Sequence, residues 1–134
     1  MEITTSTENG RVPVTVIHFS GNLDSYTANI FQAEAEKIIQ GGARHILVDL
    51  THVPFVSSAG FRALNSIFNQ LRALNPDANL SEDEVLKGVS AGTYSSPHLK
   101  VLNLSREAKH AFEMAGFDMY IEAFTDLKTA VSAF

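Results

Sequence analysis

The chain has 134 residues, 45% of them hydrophobic, and a formal net charge of −5. This is the size of one domain with its own core, and the apolar content excludes a disordered chain. The absence of cysteine excludes disulfides, thiolate metal sites and a cysteine nucleophile, and an acidic chain without a basic patch is a poor match for nucleic acid or an anionic membrane.

Residues 2–7 form a candidate first strand that turns back through Asn9-Gly10, a common hairpin pair. Val12 to Ser20 follows as a second strand, rich in β-branched residues (Val12, Val14, Thr15, Val16, Ile17). Pro13 near its start hints at an edge position, because proline cannot donate to a ladder. From Ser25 to Gln40 the apolar residues Ala28, Phe31, Ala35, Ile38 and Ile39 recur at helical spacing, and Gly41-Gly42 ends that helix. His45 to Leu50 is a short, nearly continuous apolar run, as expected of a central strand covered on both faces. A second helix spans Ser58 to Leu74 with the stripe Leu64, Ile67, Phe68, Leu71, Leu74, and Asn75-Pro76 breaks it.

Residues 77–97 do not fit this rhythm. The segment carries Glu82-Asp83-Glu84, two glycines and a Ser-Ser-Pro end, and is long for a connection; it reads as an insertion with one short helix around 82–87. His98 to Leu104 is the next strand. Ser105 caps a helix that ends at Gly116. Tyr120 to Phe124 is the last strand, and Thr125-Asp126 caps a terminal helix with Leu127, Ala130, Val131 and Phe134 on one face. The alternation after an initial hairpin predicts a single α/β domain over 1–134. Its mixed, mostly parallel sheet has about five strands and about four packed helices. The polar Met1–Gly10 carries no secretory h-region, and no apolar run approaches the roughly 18 residues of a membrane span, so a cytoplasmic location is expected.

Candidate chemistry concentrates between Asp49 and Leu64, where a buried strand feeds a short loop that opens a helix with two serines. Ser57 or Ser58 at that place is first of all an N-cap, its hydroxyl accepting from an orphan backbone N–H. The same helix start has free donors and a positive dipole end, so it also tolerates a phosphate. An enzymatic reading finds little support. Ser58-Ala59-Gly60 lacks the glycine two positions before the serine that a nucleophile elbow needs, since Val56 stands there. The histidines His18, His45, His52, His98 and His110 show no metal-ligand spacing. Asp24 and Asp49 as an acid/base pair is less economical than a turn residue and a strand-end residue. No glycine-rich phosphate loop is written in the usual form. No metal, cofactor or catalytic residue is expected.

Two blocks resemble the STAS family, the fold of anti-sigma-factor antagonists. The first is Gly21-Asn22-Leu23-Asp24 followed by Ala28. The second is the stretch from Asp49 to Leu64. They lie about 35 residues apart in the expected elements. The resemblance implies Ser58, two residues before Gly60, as the phosphoacceptor. Ser57 replaces the family's usual acidic residue and stands as a second candidate, and Asp24 matches the family's loop carboxylate.

The resemblance also implies a partner surface of Gly21, Asn22, Asp24, Ser57, Ser58, Gly60, Phe61 and Arg62. It would be offered to an anti-sigma factor or related ATP-dependent serine kinase, with a serine phosphatase reversing the modification. For Phe61, ordinary core packing is an equal alternative to exposure at the helix start. Arg62 could pair with the phosphate or with a partner carboxylate. If a phosphate on Ser58 lay about 8 Å from Asp24 in a medium of dielectric about 40, the repulsion would be about 2 kcal/mol, enough to weaken a contact more than tenfold. The chain would act as a monomer or weak homodimer. The competing expectation is an unphosphorylated docking or ligand-sensing module in a larger regulatory or transport assembly.

Overall fold

The computed structural model describes residues 2–74 and 96–134. The Asn75-Pro76 break and nearly all of the expected insertion at 77–97 lie outside them. The elements are β1 (Glu2–Asn9), β2 (Pro13–Ser20), α1 (Ala28–Gln40), β3 (Ile46–His52), α2 (Ser58–Leu74), β4 (Leu99–Leu102), α3 (Arg106–Met114), a 3-10 turn (Phe117–Met119), β5 (Glu122–Phe124) and α4 (Leu127–Ser132). The strands form one five-stranded sheet in sequential order, β1-β2-β3-β4-β5. The β1–β2 pair is antiparallel and the other three pairs are parallel. The mixed sheet expected from the alternation is therefore present, and each parallel crossover is made through a helix or the stretch beyond it.

The edge position inferred for the second strand does not hold. β2 lies between β1 and β3, and Pro13 is its first residue, paired with Asn9 at the mouth of the hairpin. A missing donor costs little there, so the proline reports the strand's start and not its place in the sheet.

Strand periodicity splits the core into two layers. Ile17 and Phe19 of β2, Ile46, Val48 and Leu50 of β3, and Leu99 and Val101 of β4 face α1, α2 and α3. The helices answer with Phe31, Ala35 and Ile39, with Leu64, Ile67, Phe68 and Leu71, and with Ala108 and Phe112. The alternate strand residues Val14, Val16, Leu47 and Leu102 cluster with Ala130 and Val131 of α4, with Val12, Phe124 and Phe134 beside them. β3 thus contributes apolar residues to both layers, which is why it reads as an unbroken apolar run. Leu74, expected to end the apolar stripe of α2, is half exposed instead, bordering an open cleft with Ile39 and Gln40 of α1.

The second layer also contains a buried lysine. The Lys100 ammonium donates to Glu122 Oε1 at 2.8 Å and to the Ser96 carbonyl at 3.2 Å. It lies 5.3 Å from the ring centroid of Phe134 and 5.9 Å from that of Phe124. A buried cation is tolerated only when paired in this manner. At the same end of the sheet the His45 ring lies 5.4 Å from that of His98, tilted against it. Burial first, and then the neighbouring His98, pushes the His45 pKa below the ordinary imidazole value.

Candidate functional site

The β2–α1 loop and the β3–α2 loop are bound to each other at the C-terminal ends of their strands. Gly21 N donates to the His52 carbonyl at 3.0 Å, Leu23 N to the Phe55 carbonyl at 3.0 Å, and Ser57 N to the Leu23 carbonyl at 2.8 Å. Leu23 and Val56 pair as an isolated parallel bridge. These bonds extend the β2–β3 ladder past the strands and set the two sequence blocks side by side. Gly21 starts the first loop with φ +103°, a conformation that side chains rarely adopt.

Gly60 makes the junction possible. A Cβ there would lie 2.8 Å from Val56 Cγ1 and 2.9 Å from both Leu23 Cγ and the Leu23 carbonyl oxygen. Only glycine lets the first turn of α2 press against the neighbouring loop at this distance. Gly60 is consequently buried and cannot itself touch a partner.

The two serines have different tasks. Ser57 precedes α2, and its Oγ accepts from Gly60 N at 3.4 Å while its carbonyl accepts from Phe61 N at 3.0 Å. It is the N-cap, doing with a hydroxyl what an aspartate does at such a position. Ser58 is the first helical residue and is exposed. The helix needs nothing from its hydroxyl.

Asp24 is committed to its own loop. Its Oδ1 accepts from Tyr26 N at 3.0 Å, from Thr27 N at 3.3 Å and from Thr27 Oγ1 at 3.3 Å. Its carbonyl takes the first helical bond, from Ala28 N at 2.8 Å. This carboxylate orders the turn that leads into α1, which begins at Ala28 and not at Ser25. Thr27 Oγ1 also donates to the Asn22 carbonyl at 2.8 Å, closing the loop around Asn22, which is exposed.

Phe61 departs from the expected contact surface. It is only 6% exposed, with its ring stacked 5.4 Å from Phe117 and tilted 6.3 Å from Phe112. The residue after Gly60 points inward, toward α3 and the 3-10 turn, and packing is its role. Arg62 is exposed on the outer side of α2, where it borders a shallow cleft with Asn65, Ser66 and Asn69.

Two residues of this surface carried no signal in the sequence. Tyr26 is 86% exposed and Phe55 is 51% exposed, one on each of the stitched loops. Large exposed aromatics are costly in isolation and are typical anchors of protein contacts. No periodic pattern marks them, because they lie in loops. The loop of Phe55 is further fixed by Ser105, whose Oγ donates to the Pro54 carbonyl at 2.9 Å.

Asp49 is also placed differently from either sequence expectation. It pairs with His18 on the neighbouring strand, Nδ1 to Oδ2 at 2.7 Å, and His18 Nε2 lies 2.9 Å from Ser6 Oγ. The other carboxylate oxygen accepts from Thr51 N at 3.0 Å and from the Thr51 hydroxyl, and Asn103 Nδ2 donates to that hydroxyl at 2.9 Å. A line of five polar side chains thus crosses the sheet from β1 to the end of β4. It runs over the face that α4 leaves open, apart from Ser57 and Ser58. Among the described residues no three histidine, aspartate or glutamate side chains come together as a metal site, and no helix is long and apolar enough to cross a membrane.

This geometry belongs to a known class of domain. The chain is a member of the STAS domain family, whose profile matches residues 5–79. Solved structures share the fold over almost the whole chain. An anti-sigma factor antagonist from Mycobacterium paratuberculosis superposes with a TM-score of 0.68 at 19% identity, covering 98% of this chain and 93% of that one. A putative anti-sigma factor antagonist from Thermotoga maritima gives 0.71 at 11% identity, covering 96% and 90%. The Bacillus cell fate determinant SpoIIAA in its phosphorylated form gives 0.63 at 16% identity, covering 97% and 96%. No curated protein sequence matches this chain.

Proposed function

We propose that this chain is a non-enzymatic regulator that binds an anti-sigma factor or a related ATP-dependent serine kinase, and that phosphorylation of Ser58 switches the contact off. The observation that carries the reading is the division of labour between adjacent serines: Ser57 is consumed by the helix cap, whereas Ser58 stands exposed one residue later. Ser58 can therefore be modified without unwinding α2. The positive end of the helix dipole accommodates the added charge.

The exposed Tyr26 and Phe55 supply apolar anchorage on the two loops that flank this serine, and Asn22, Asp24 and Arg62 supply its polar rim. Phosphorylation would set about −1.5 to −2 charges in that contact. Desolvating such a group against a partner costs enough to oppose binding without any change of shape. A serine phosphatase would restore the binding form. Ser57 in place of an acidic residue is compatible with this reading, since a hydroxyl fulfils the capping role equally well. The solved structures named as anti-sigma factor antagonists support the same assignment by fold, and the cytoplasm is where such a partner would be met.

The test is intact-mass and peptide analysis after incubation with a candidate partner kinase and ATP. One phosphate is expected, on Ser58, absent from Ser58→Ala. Ser58→Asp should weaken partner binding at least about tenfold, equivalent to about 1.4 kcal/mol, while Ser58→Ala binds as the wild type does. Binding that survives both substitutions, with no phosphate incorporated, overturns the switch and favours an unphosphorylated docking module.

A further inference from the structure

Three side chains of the polar line stand in an arrangement that the partner contact does not use. Strand register brings them together. His18 of β2 lies opposite Asp49 of β3 and opposite Thr4 of β1. Ser6 shares the face of Thr4 and is the diagonal neighbour of His18 across the β1–β2 pair. Ser6 Oγ lies 2.9 Å from His18 Nε2, and His18 Nδ1 lies 2.7 Å from Asp49 Oδ2.

With a neutral imidazole the protons along this line have one consistent order. A carboxylate only accepts. Asp49 Oδ1 is taken by the Thr51 amide and hydroxyl, and Asn103 Nδ2 donates to the oxygen of that hydroxyl. Asp49 Oδ2 therefore receives the Nδ1 proton of His18. Nε2 is then the bare nitrogen of the ring, and Ser6 is the group that donates to it. The serine proton is aimed at a base, the base is oriented by a carboxylate, and the carboxylate is held from behind. Nucleophile, base and orienter are thus within hydrogen-bond reach of one another. His18 keeps 38% of its side-chain exposure and Ser6 is only partly buried, so a small reagent can reach both.

We infer that Ser6 is an activated nucleophile and a site of covalent acylation, with His18 as its general base and Asp49 and Thr51 as positioning residues. The co-reactant is an acyl compound with a good leaving group. Ser6 Oγ bonds to the carbonyl carbon while its proton passes to His18 Nε2. The bond from that carbon to the leaving group breaks, and the leaving group departs with the electron pair and takes the proton from His18. The products are O-acyl Ser6, the released leaving group and a neutral imidazole. The need for activation follows from the rest of the line. The Thr51 donors are spent on Asp49 and the Asn103 amide on Thr51, so none of them is left to hold a developing oxyanion. O-acyl Ser6 is itself an unactivated ester, so the site is marked once and does not turn over. It uses no group of the partner surface and does not depend on the assignment of Ser58.

Time-resolved peptide mass analysis after addition of p-nitrophenyl acetate, at mildly alkaline pH, tests the inference. Ser58, which is exposed and has no base on it, is the internal reference. Ser6 should gain an acetyl group about 100-fold faster than Ser58, the contribution of a positioned general base. His18→Phe should bring Ser6 down to the rate of Ser58. Asp49→Asn should do the same, because the Thr51 donors claim the carbamoyl oxygen, the amide then faces Nδ1, and the imidazole proton is moved to Nε2. Thr51→Ser, which keeps the hydroxyl, should label as the wild type does. Circular dichroism should be unchanged in each variant, and the wild-type comparison of the two serines needs no variant at all. Ser6 acetylated no faster than Ser58 in the wild type, or at the wild-type rate in folded His18→Phe, overturns the proposal. Nitrophenolate release that persists undiminished in Ser6→Ala would mean that His18 attacks the ester itself, and overturns Ser6 as the acceptor.

Discussion

The two faces of the sheet are finished by opposite means. On one, α1, α2 and α3 seal a continuous apolar layer in which Phe31, Leu64, Ile67 and Phe112 are essentially inaccessible. On the other, α4, only six residues long, covers Val14, Val16, Leu47 and Leu102. The rest of that face is closed by the line Ser6–His18–Asp49–Thr51–Asn103. The first face obtains stability from area removed from water and the second from satisfied polar groups. Burial is non-directional and scales with area, whereas a hydrogen-bonded line on a wet surface contributes little net energy. The site occupies the rim where the loops leaving the well-packed face converge, so exposed Ser58, Tyr26 and Phe55 are held by a rigid support.

The largest expected effect follows from truncating each face in turn. Leu64→Ala opens a cavity between α2 and the sheet and should cost about 3 to 4 kcal/mol in urea unfolding. Val131→Ala, on the thin layer under α4, should cost about 1.5 kcal/mol, the transfer energy of the lost methyl groups with easy collapse around them. Equal losses at the two positions would abolish the asymmetry and assign α4 a structural weight that its short length does not suggest.

Much of this architecture is legible in the sequence, because both layers are written in periodicities that the chain obeys. The sequential strands, the bounds of α2 and the caps by Ser105 and Asp126 follow from alternation, a 3.6-residue stripe and side chains that accept from the third residue onward. Misreadings arise where a local feature has two physical causes. Pro13 signals a strand start as well as an edge. Asp24 orders a turn over residues 25–27 with its own side chain, so α1 starts at its first apolar residue, Ala28, and not at Ser25. Asn103, at φ +57°, ends β4 before the apolar run does. The site was legible as two blocks, but not the division between a capping Ser57 and a free Ser58, nor the inward turn of Phe61, since a helix start does not announce which way its first side chains face. The polar line was invisible for a different reason. Its members lie as far apart as Ser6 and Asn103, and only the strand register brings them together.

That line provides the smallest and most specific expectation, a pH dependence confined to the open face. Burial tends to raise the Asp49 pKa, but the hydrogen bonds from Thr51 and the adjacent His18 outweigh it and hold the carboxyl below its ordinary value. A carboxyl whose folded-state pKa is depressed stabilises the fold above its unfolded pKa, about 3.9, and loses that contribution as the pH falls through the folded value. Wild type should therefore lose stability relative to Asp49→Asn as the pH drops below about 4. Asp126, whose pKa is likewise lowered by its hydrogen bonds to Thr129, titrates in both proteins and cancels from the comparison. Urea unfolding of the two proteins across this range measures the effect. Because Asp49 keeps some access to water, the gap should be smaller than the cost of either apolar truncation. A gap that did not narrow in acid would mean that the carboxylate's charge contributes nothing to the open face, and that Asp49 serves there only as a hydrogen-bond acceptor that asparagine can replace.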